Sequence, residues 1–314
     1  MRRELENVLR ETEKVISGKR TAIEKILMAM LAEGHILLDD VPGVGKTTLA
    51  VALSRAVGLS YRRVQFTPDV LPSDLVGFSV YDRETGGFTY RPGALVQANL
   101  VLGDEINRAS SRTQSALLEA MEERQATVDG QTHPLQRPFL VIATQNSVGA
   151  AGTQFLPYAQ MDRFLVRLSL GYPDYEAQMD MLRARQGGNP MDRVECALSR
   201  EGLIAMQEEA RRVTAKDAVL DYIIRLTTAS REHEAVEVGV SPRGALFLDR
   251  MAKARAYLDG RDYATGGDVQ AVFYDVCAHR VLLKGRALSA GATVEKVLSG
   301  LLASVPSPDR GRGA

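Results

Sequence analysis

The chain has 314 residues, 45% of them hydrophobic and 25% charged, which is enough to bury a substantial core in one large or two smaller domains. Lys+Arg and Asp+Glu both number 39, so no global field draws the protein to nucleic acid or to an anionic membrane, and any such contact would have to be local. Two cysteines make neither a disulfide framework nor a zinc pattern, no apolar window spans a bilayer, and no signal peptide follows Met1-Arg2-Arg3, which leaves the cytoplasm as the expected compartment.

Leu5, Val8, Leu9, Thr12, Val15 and Ile16 recur at helical spacing and predict an amphipathic helix ending near Ser17-Gly18. Ile23, Ile26, Leu27, Met30 and Leu31 form the apolar stripe of a second helix, with Gly34 as its expected C-cap. The next stretch is HILLDDVPGVGKTTLA, residues 35–50. It reads as a short apolar strand, a tight Pro/Gly turn and a helix opening at Lys46-Thr47-Thr48. A glycine turn feeding a helix N-terminus turns several backbone N–H groups and the positive end of the helix dipole toward one point, which suits a polyphosphate. In the phosphate loop G-x-x-x-x-G-K-[ST], the glycines let the backbone approach the phosphates, Lys reaches the β and γ oxygens, and the hydroxyl ligates Mg²⁺. Pro42, Gly43, Val44, Gly45, Lys46, Thr47 and Thr48 are therefore the expected nucleotide-binding residues, with Thr47 also a metal ligand. The strict pattern puts Gly at position 40, where this chain has Asp40. The plain alternative is a Gly-rich strand–helix turn with an incidental lysine.

A helix follows to Val57, closed by Gly58, and Tyr61 to Phe66 alternates as a strand. Two alternating runs flank Asp82-Arg83-Glu84-Thr85-Gly86-Gly87 and predict a β-hairpin at about 78–90. LVLGDE, residues 100–105, is an apolar strand that delivers two carboxylates at its C-terminal end. In a P-loop ATPase, Asp104 would hold the Mg²⁺ shell and Glu105 would polarise the attacking water, whereas the alternative is an acidic helix cap. Ser110 to Glu123 reads as a helix, and Asp129-Gly130 sits at the turn of a second hairpin, about 128–137. FLVIA, residues 139–143, is a buried strand ending in Thr144-Gln145-Asn146. Asn146 is the candidate to touch both γ-phosphate and water, against an ordinary Asn turn. Leu165 to Leu170 is a last strand. Beyond about 175 the strand signals vanish: a polar helix over 175–185 and a Gly-rich linker precede helices at about 199–211, 216–231, 242–258, 268–283 and 292–304. The expected division is thus an α/β nucleotide-binding domain over 1–185, an all-helical domain over 191–305 and a disordered Pro/Gly/Arg-rich tail over 306–314.

The order of these signals resembles the MoxR family of AAA+ ATPases. GHILLDDVPGVGKTTLA, TPDVLPSDLVGFSVYD, FTYRPGAL, NLVLGDEINRASSRTQSALLEAMEERQATVDG, FLVIATQN, AQMDRFLVRLSLGYP, VSPRGALFLDRMAKARAYLDGRDYAT and LLASVPSP carry the resemblance over nearly the whole chain. It implies a RecA-like P-loop AAA+ core with a parallel sheet followed by a small all-α lid, with ATP and Mg²⁺ as cofactors. It implies assembly into a ring, usually a hexamer, that remodels, assembles or activates a client protein, often together with a von Willebrand A domain partner. Carried over by position, Lys46 and Thr47 belong to Walker A, Asp104 and Glu105 to Walker B, and Asn146 to sensor 1. Arg163 falls at the arginine finger, which reaches the neighbouring subunit's γ-phosphate, and Arg243 at sensor 2. Each arginine would neutralise charge on the equatorial oxygens of a loose phosphoryl-transfer transition state. A strand-entry salt bridge for Arg163 and a solvated first-turn arginine for Arg243 are the alternatives; Arg108 would face a subunit interface or cap its helix.

The two hairpins fall at the family's insertions, where they would contact a client or serve as structural decoration. They hold no basic cluster of the kind a DNA-tracking hairpin needs. The chain departs from the family pattern at Ser147, Ala150 and Tyr158, which removes one or two acidic residues near the expected interface. Two other functions stay open at this point: a nucleic-acid motor or loader, disfavoured by the neutral charge, and a weakly hydrolysing nucleotide switch, disfavoured by Glu105 and Asn146.

Overall fold

The computed structural model describes residues 1–84, 86–145 and 156–311. Helices α1 (Arg3–Glu13) and α2 (Arg20–Leu31) bury the stripes expected of them: Leu5, Val8 and Leu9 on the first, Ile23, Ile26, Leu27, Met30 and Leu31 on the second. The chain then enters β1 (Ile36–Asp39), α3 (Lys46–Ala56) and β2 (Tyr61–Gln65). Helix α4 (Pro72–Val76) leads into the first hairpin, β3 (Gly77–Asp82) and β4 (Gly87–Pro92). Strand β5 (Leu100–Asp104) and helix α5 (Ser111–Glu123) precede the second hairpin, β6 (Gln125–Val128) and β7 (Gln131–Pro134). Strand β8 (Leu140–Gln145), the short helix α6 (Tyr158–Met161), β9 (Val166–Leu168) and α7 (Tyr175–Gln186) complete the first part.

Five strands form one sheet in the order β2-β5-β8-β1-β9, and every pairing is parallel. Successive residues point to opposite faces, and both faces are covered. Ile36, Leu38, Leu100, Leu102, Leu140 and Ile142 pack with α1, α2 and α3, while Leu37, Val101, Val141 and Ala143 pack with Phe66, Leu117, Leu118, Met121 and Phe164. Burial on both sides is why these strands read as unbroken apolar runs. The register sets Asp39 opposite Gln145 and Gln65 opposite Asp104, so polar side chains collect at the carboxyl ends of the strands. Ligands of open α/β sheets bind at that edge.

The second hairpin lies about three residues ahead of its expected span. Arg124 takes a left-handed conformation (φ 54°) that ends α5 and starts strand pairing at once, and Asp129 and Gly130 (φ 51° and 76°) make the two-residue turn. The hairpins touch: the rings of Tyr90 and His133 stack with centroids 3.6 Å apart.

The C-terminal part is built from α8 (Arg200–Arg211), α9 (Asp217–Glu232), α10 (Pro242–Leu258), α11 (Gly266–Cys277), α12 (Gly285–Ser289) and α13 (Val294–Ser304). It is helical apart from two short ladders: Thr214–Ala215 beside Tyr263–Ala264, and Val236–Val238 beside Leu282–Leu283. The helix expected over 268–283 ends at Cys277 and gives way to a 3-10 turn, Ala278–Arg280, whose arginine is drawn into the core. Within the stretch expected to be a disordered tail, Pro308–Gly311 forms a 3-10 turn, and the Asp309 carboxylate accepts the Gly267 N–H at 2.7 Å. Gly34 is not the left-handed cap of α2. Glu33 takes that conformation (φ 53°), and Gly34 is glycine because a Cβ there would lie 2.2 Å from Leu165.

Candidate nucleotide-binding site

The loop after β1 is shaped by two left-handed glycines, Gly43 (φ 84°) and Gly45 (φ 94°), a conformation that costs other L-residues free energy. Gly45 is the N-cap of α3, which makes Lys46, Thr47 and Thr48 its first turn, where backbone N–H groups have no partner within the helix. Pro42, Gly43, Gly45, Lys46, Thr47, Thr48, Asp104 and Glu105 line one cavity of about 310 Å³. Val44 instead buries its side chain in the core and anchors the loop. A Cβ on Gly43 would meet nothing within 4 Å, so the loop faces open space wide enough for a bulky anion. The donor set suits a Mg²⁺-nucleotide: helix-terminal N–H groups and an ammonium for phosphates, and the hard oxygens of Thr47 and Asp104 for a divalent cation.

Lys46 is buried, and its Nζ donates to the Asp40 carbonyl at 2.9 Å. Desolvation pulls its pKa down, while Asp40, Asp104, Asp39 and Glu105 oppose that pull. Asp40 stands where the strict loop pattern has glycine, and its side chain has a separate task. Oδ1 accepts the Val41 N–H at 3.0 Å, and Oδ2 accepts from Leu170 N–H, from Gly171 N–H at 2.9 Å and from Ser169 Oγ at 3.2 Å. The phosphate loop is thereby fastened to the turn that follows β9.

The acidic pair is held from β8. Thr144, fully buried, donates its hydroxyl to Asp104 Oδ1 at 2.6 Å and accepts the Glu105 N–H at 2.9 Å. Arg63 Nη2 donates to the other Asp104 oxygen at 2.7 Å. Glu105 sits in the left-handed region (φ 58°, ψ 48°), and its carboxylate is gripped by Arg108 at 2.6 Å and Gln65 at 3.2 Å. Arg108 does not cap its helix; its guanidinium holds Glu105.

Sequence reasoning missed Asp40, Thr144, Arg63 and Gln65. Thr144 had one local signal, a polar residue ending the apolar run FLVIA; the others are defined by partners distant in sequence. Asn146 lies outside the described residues.

Arg163 and Arg243 do not line the phosphate-loop cavity. Both lie against Glu122 of α5, Arg163 Nε at 3.2 Å from Oε2 and Arg243 Nη2 on Oε1. They border a second cavity of about 480 Å³ that also takes in Arg124, Phe247 and Arg250.

Comparison with known proteins settles the family. Residues 35–166 match the ATPase family associated with various cellular activities (AAA), and residues 228–299 match the AAA lid domain. The chain is 38% identical to chaperone MoxR1 of Mycobacterium tuberculosis over 97% of its own length and 82% of that protein, and 32% identical to protein MoxR of Methylorubrum extorquens over 95% and 94%. The chain belongs to the MoxR family of AAA+ ATPases. An uncharacterized Bacillus subtilis protein, YeaC, is 44% identical over 94% of this chain and 92% of its own. A crystal structure of a candidate ATPase from Cytophaga hutchinsonii superposes with a TM-score of 0.90 at 36% identity, covering 97% of this chain and 94% of that one. As a MoxR-family member the protein binds nucleotide and is an ATPase, and the parallel sheet with its helical lid is the AAA+ fold.

Proposed function

We propose that this MoxR-family ATPase works as a homo-oligomeric ring, a hexamer, in which each ATP is held by one subunit and its hydrolysis completed by the next. Lys46 and the N–H groups of Gly43, Gly45 and Thr47 bind the phosphates, with Pro42, Val44 and Thr48 shaping the loop. Thr47 and Asp104 hold Mg²⁺, which supplies charge neutralisation when bound. Glu105 accepts the proton of the attacking water, with Asn146 beside it, and Arg163 and Arg243 stabilise the charge on the transferred phosphoryl group.

One observation carries this reading: the carboxylates share a cavity with the phosphate loop, whereas the two arginines share a different one. Arginines turned away from their own subunit's nucleotide are placed to serve a neighbour's. Residues 1–185 and 191–305 act as the nucleotide-binding and lid domains, followed by a tail from 306. The work done is remodelling or activation of a client protein in the cytoplasm, such as complex maturation or metal-cofactor insertion, with a von Willebrand A domain protein as partner. Three solvent-exposed aromatic residues on the first hairpin, Phe78, Tyr81 and Phe88, support contact with a partner, and the lack of a basic cluster in that hairpin favours polypeptide over nucleic acid. Among the described residues, no helix is long and apolar enough to cross a membrane.

The test is ATPase rate per subunit against protein concentration, wild type beside Arg163→Ala and Lys46→Ala. The wild-type specific rate is expected to climb with concentration. Arg163→Ala should bind ATP yet turn over roughly 10²-fold more slowly or worse, arginine fingers contributing ~10³–10⁵; Lys46→Ala should lose nucleotide affinity. Equal turnover by Arg163→Ala would overturn the shared-site reading.

A further inference from the structure

Among the described residues, Arg280 is the largest side chain with no solvent exposure. An isolated guanidinium cannot be buried without severe cost, and here all five of its N–H donors are met. Nε donates to Asp162 Oδ1 at 2.9 Å; Nη1 donates to the carbonyls of Leu165 (3.3 Å) and Val276; Nη2 donates to those of Asp162 (2.9 Å) and Phe164. Four of these five oxygen acceptors belong to the core segment 162–165, the His279 ring lies 2.6 Å from Nη1 as well, and Arg280 itself belongs to the lid. Asp162 is the immediate neighbour of Arg163.

The same carboxylate reaches the other arginine. Ser241 Oγ donates to Asp162, 2.9 Å from Oδ1 and 3.0 Å from Oδ2, and accepts the Gly244 N–H at 3.1 Å as the N-cap of α10. Arg243 stands in the first turn of that helix. Gly244 leaves room for the clamp: a Cβ there would lie 2.8 Å from Arg280 Cδ. Tyr158, a departure from the family pattern, adds a further tie, its hydroxyl reaching the carbonyls of Arg280 and of Gly239 (3.2 Å). Burial, with Asp162 beside it, pushes that phenol up to about 12, so it is a donor at neutral pH.

We propose that Arg280, Asp162 and Ser241 form a positioning clamp that fixes Arg163 of the core and Arg243 of the lid at one spacing, so that the two guanidiniums are presented to a neighbouring subunit's nucleotide as a single unit. A buried ion pair is a poor source of stability, and in some proteins one is retained for geometric specificity; this one joins the backbone segments that carry both arginines. The proposal rests on the shared-site reading of those arginines. Tyr158 strengthens the clamp in this chain, which gives the tyrosine a role in setting the arginines rather than in contacting nucleotide.

Arg280 variants risk misfolding, so the test uses Ser241→Gly, glycine being a tolerable N-cap, and Tyr158→Phe, each made in the wild-type and in the Arg163→Ala/Arg243→Ala background. The readouts are kcat, ATP affinity at the enzyme's own phosphate loop, and thermal stability. In the wild-type background Ser241→Gly should lower kcat by about tenfold, short of the ~10²-fold that a full ångström of misplacement costs. ATP affinity should hold, Ser241→Thr should recover the lost turnover, and Tyr158→Phe should give a smaller loss of the same kind. In the background without the two arginines, neither substitution should lower kcat further. An equal loss in both backgrounds, or no loss in the first, overturns the clamp. Wild-type turnover by the double-alanine protein would overturn the shared-site reading itself, and the proposal with it, a result distinct from either.

Discussion

Thr144→Val is the sharpest single perturbation of the site. Valine keeps the shape and removes the hydroxyl, so the change isolates two hydrogen bonds at a fully buried position. The Glu105 N–H loses its acceptor, leaving a donor unsatisfied at about 1–3 kcal/mol. Asp104 loses a bond to a charged group, worth about 1.5–3 kcal/mol, but keeps Arg63 at 2.7 Å, which offsets part of that loss. The expected destabilisation is about 2–4 kcal/mol, or a fall in Tm of about 3–6 °C for a chain of 314 residues. The larger consequence concerns Glu105. Its left-handed backbone carries strain of order 1–3 kcal/mol and persists because its surroundings hold it. Freed from Thr144, the residue relaxes and its carboxylate moves by about an ångström, which should lower kcat ~10²-fold. ATP affinity should hold, because the phosphate loop is built on α3 and Asp40. Thermal unfolding, equilibrium nucleotide binding and steady-state hydrolysis on Thr144→Val and Thr144→Ser separate these effects, with serine restoring most of both losses. An unchanged Tm together with unchanged kcat in the valine variant would refute the assignment.

Asp40→Gly would make the phosphate loop match the strict pattern, yet it should destabilise the protein by about 3 kcal/mol or more, since donors at 41 and 169–171 lose a common acceptor; a Tm equal to wild type in a melting curve would count against the tether. Glu105→Gln should bind ATP and fail to cleave it, and wild-type phosphate release would remove Glu105 as the group that polarises water. His35 is buried and held as the neutral ring, with Nδ1 accepting the Val141 N–H and Nε2 facing the Met121 carbonyl, and desolvation lowers it from 6.5 to about 4. The unfolded chain therefore takes up the proton first: this contribution is complete above 6.5 and is lost as pH falls toward 4, reaching of order 3 kcal/mol at 1.36 kcal/mol per unit. Urea unfolding at roughly pH 7.5 and pH 5 should show the fall, and equal stabilities at both would show that His35 does not behave as a neutral core residue.

The phosphate loop, the acidic strand and the sheet were legible because their signals are local: apolar runs of strand length, glycines at a turn, a lysine and hydroxyl opening a helix. Gly34 shows where local reading stops. A glycine after a helix suggests a left-handed cap, but Glu33 adopts that conformation and Gly34 answers to Leu165, more than a hundred residues away. Asp40 read as a mismatch for the same reason, its partners lying at 169–171. The helix expected over 268–283 stops at Cys277, and only the folded lid shows why: Arg280 turns inward there. Arg163 and Arg243 were singled out by position in a pattern; that they meet on Glu122, away from their own phosphate loop, is a tertiary fact with no local trace.

Both groups of chemical residues are built the same way, and the likeness bears on how the site can work. Each has a backbone fixed by a buried partner and a charged tip held by an exposed one. Glu105 is fixed through its N–H by Thr144, while its carboxylate rests on Arg108 and Gln65 at the surface. Arg163 and Arg243 are fixed through Asp162, Ser241 and Arg280, while their guanidiniums rest on the half-exposed Glu122. Exposed ion pairs contribute about 0–1 kcal/mol, so a phosphate oxygen or a polarised water can replace Arg108 or Glu122 at little cost. Buried pairs resist separation by about 3–5 kcal/mol when one partner is removed. The backbone positions therefore survive the exchange of partners at the tips, and on the proposed shared-site reading the groups are already spaced before nucleotide arrives.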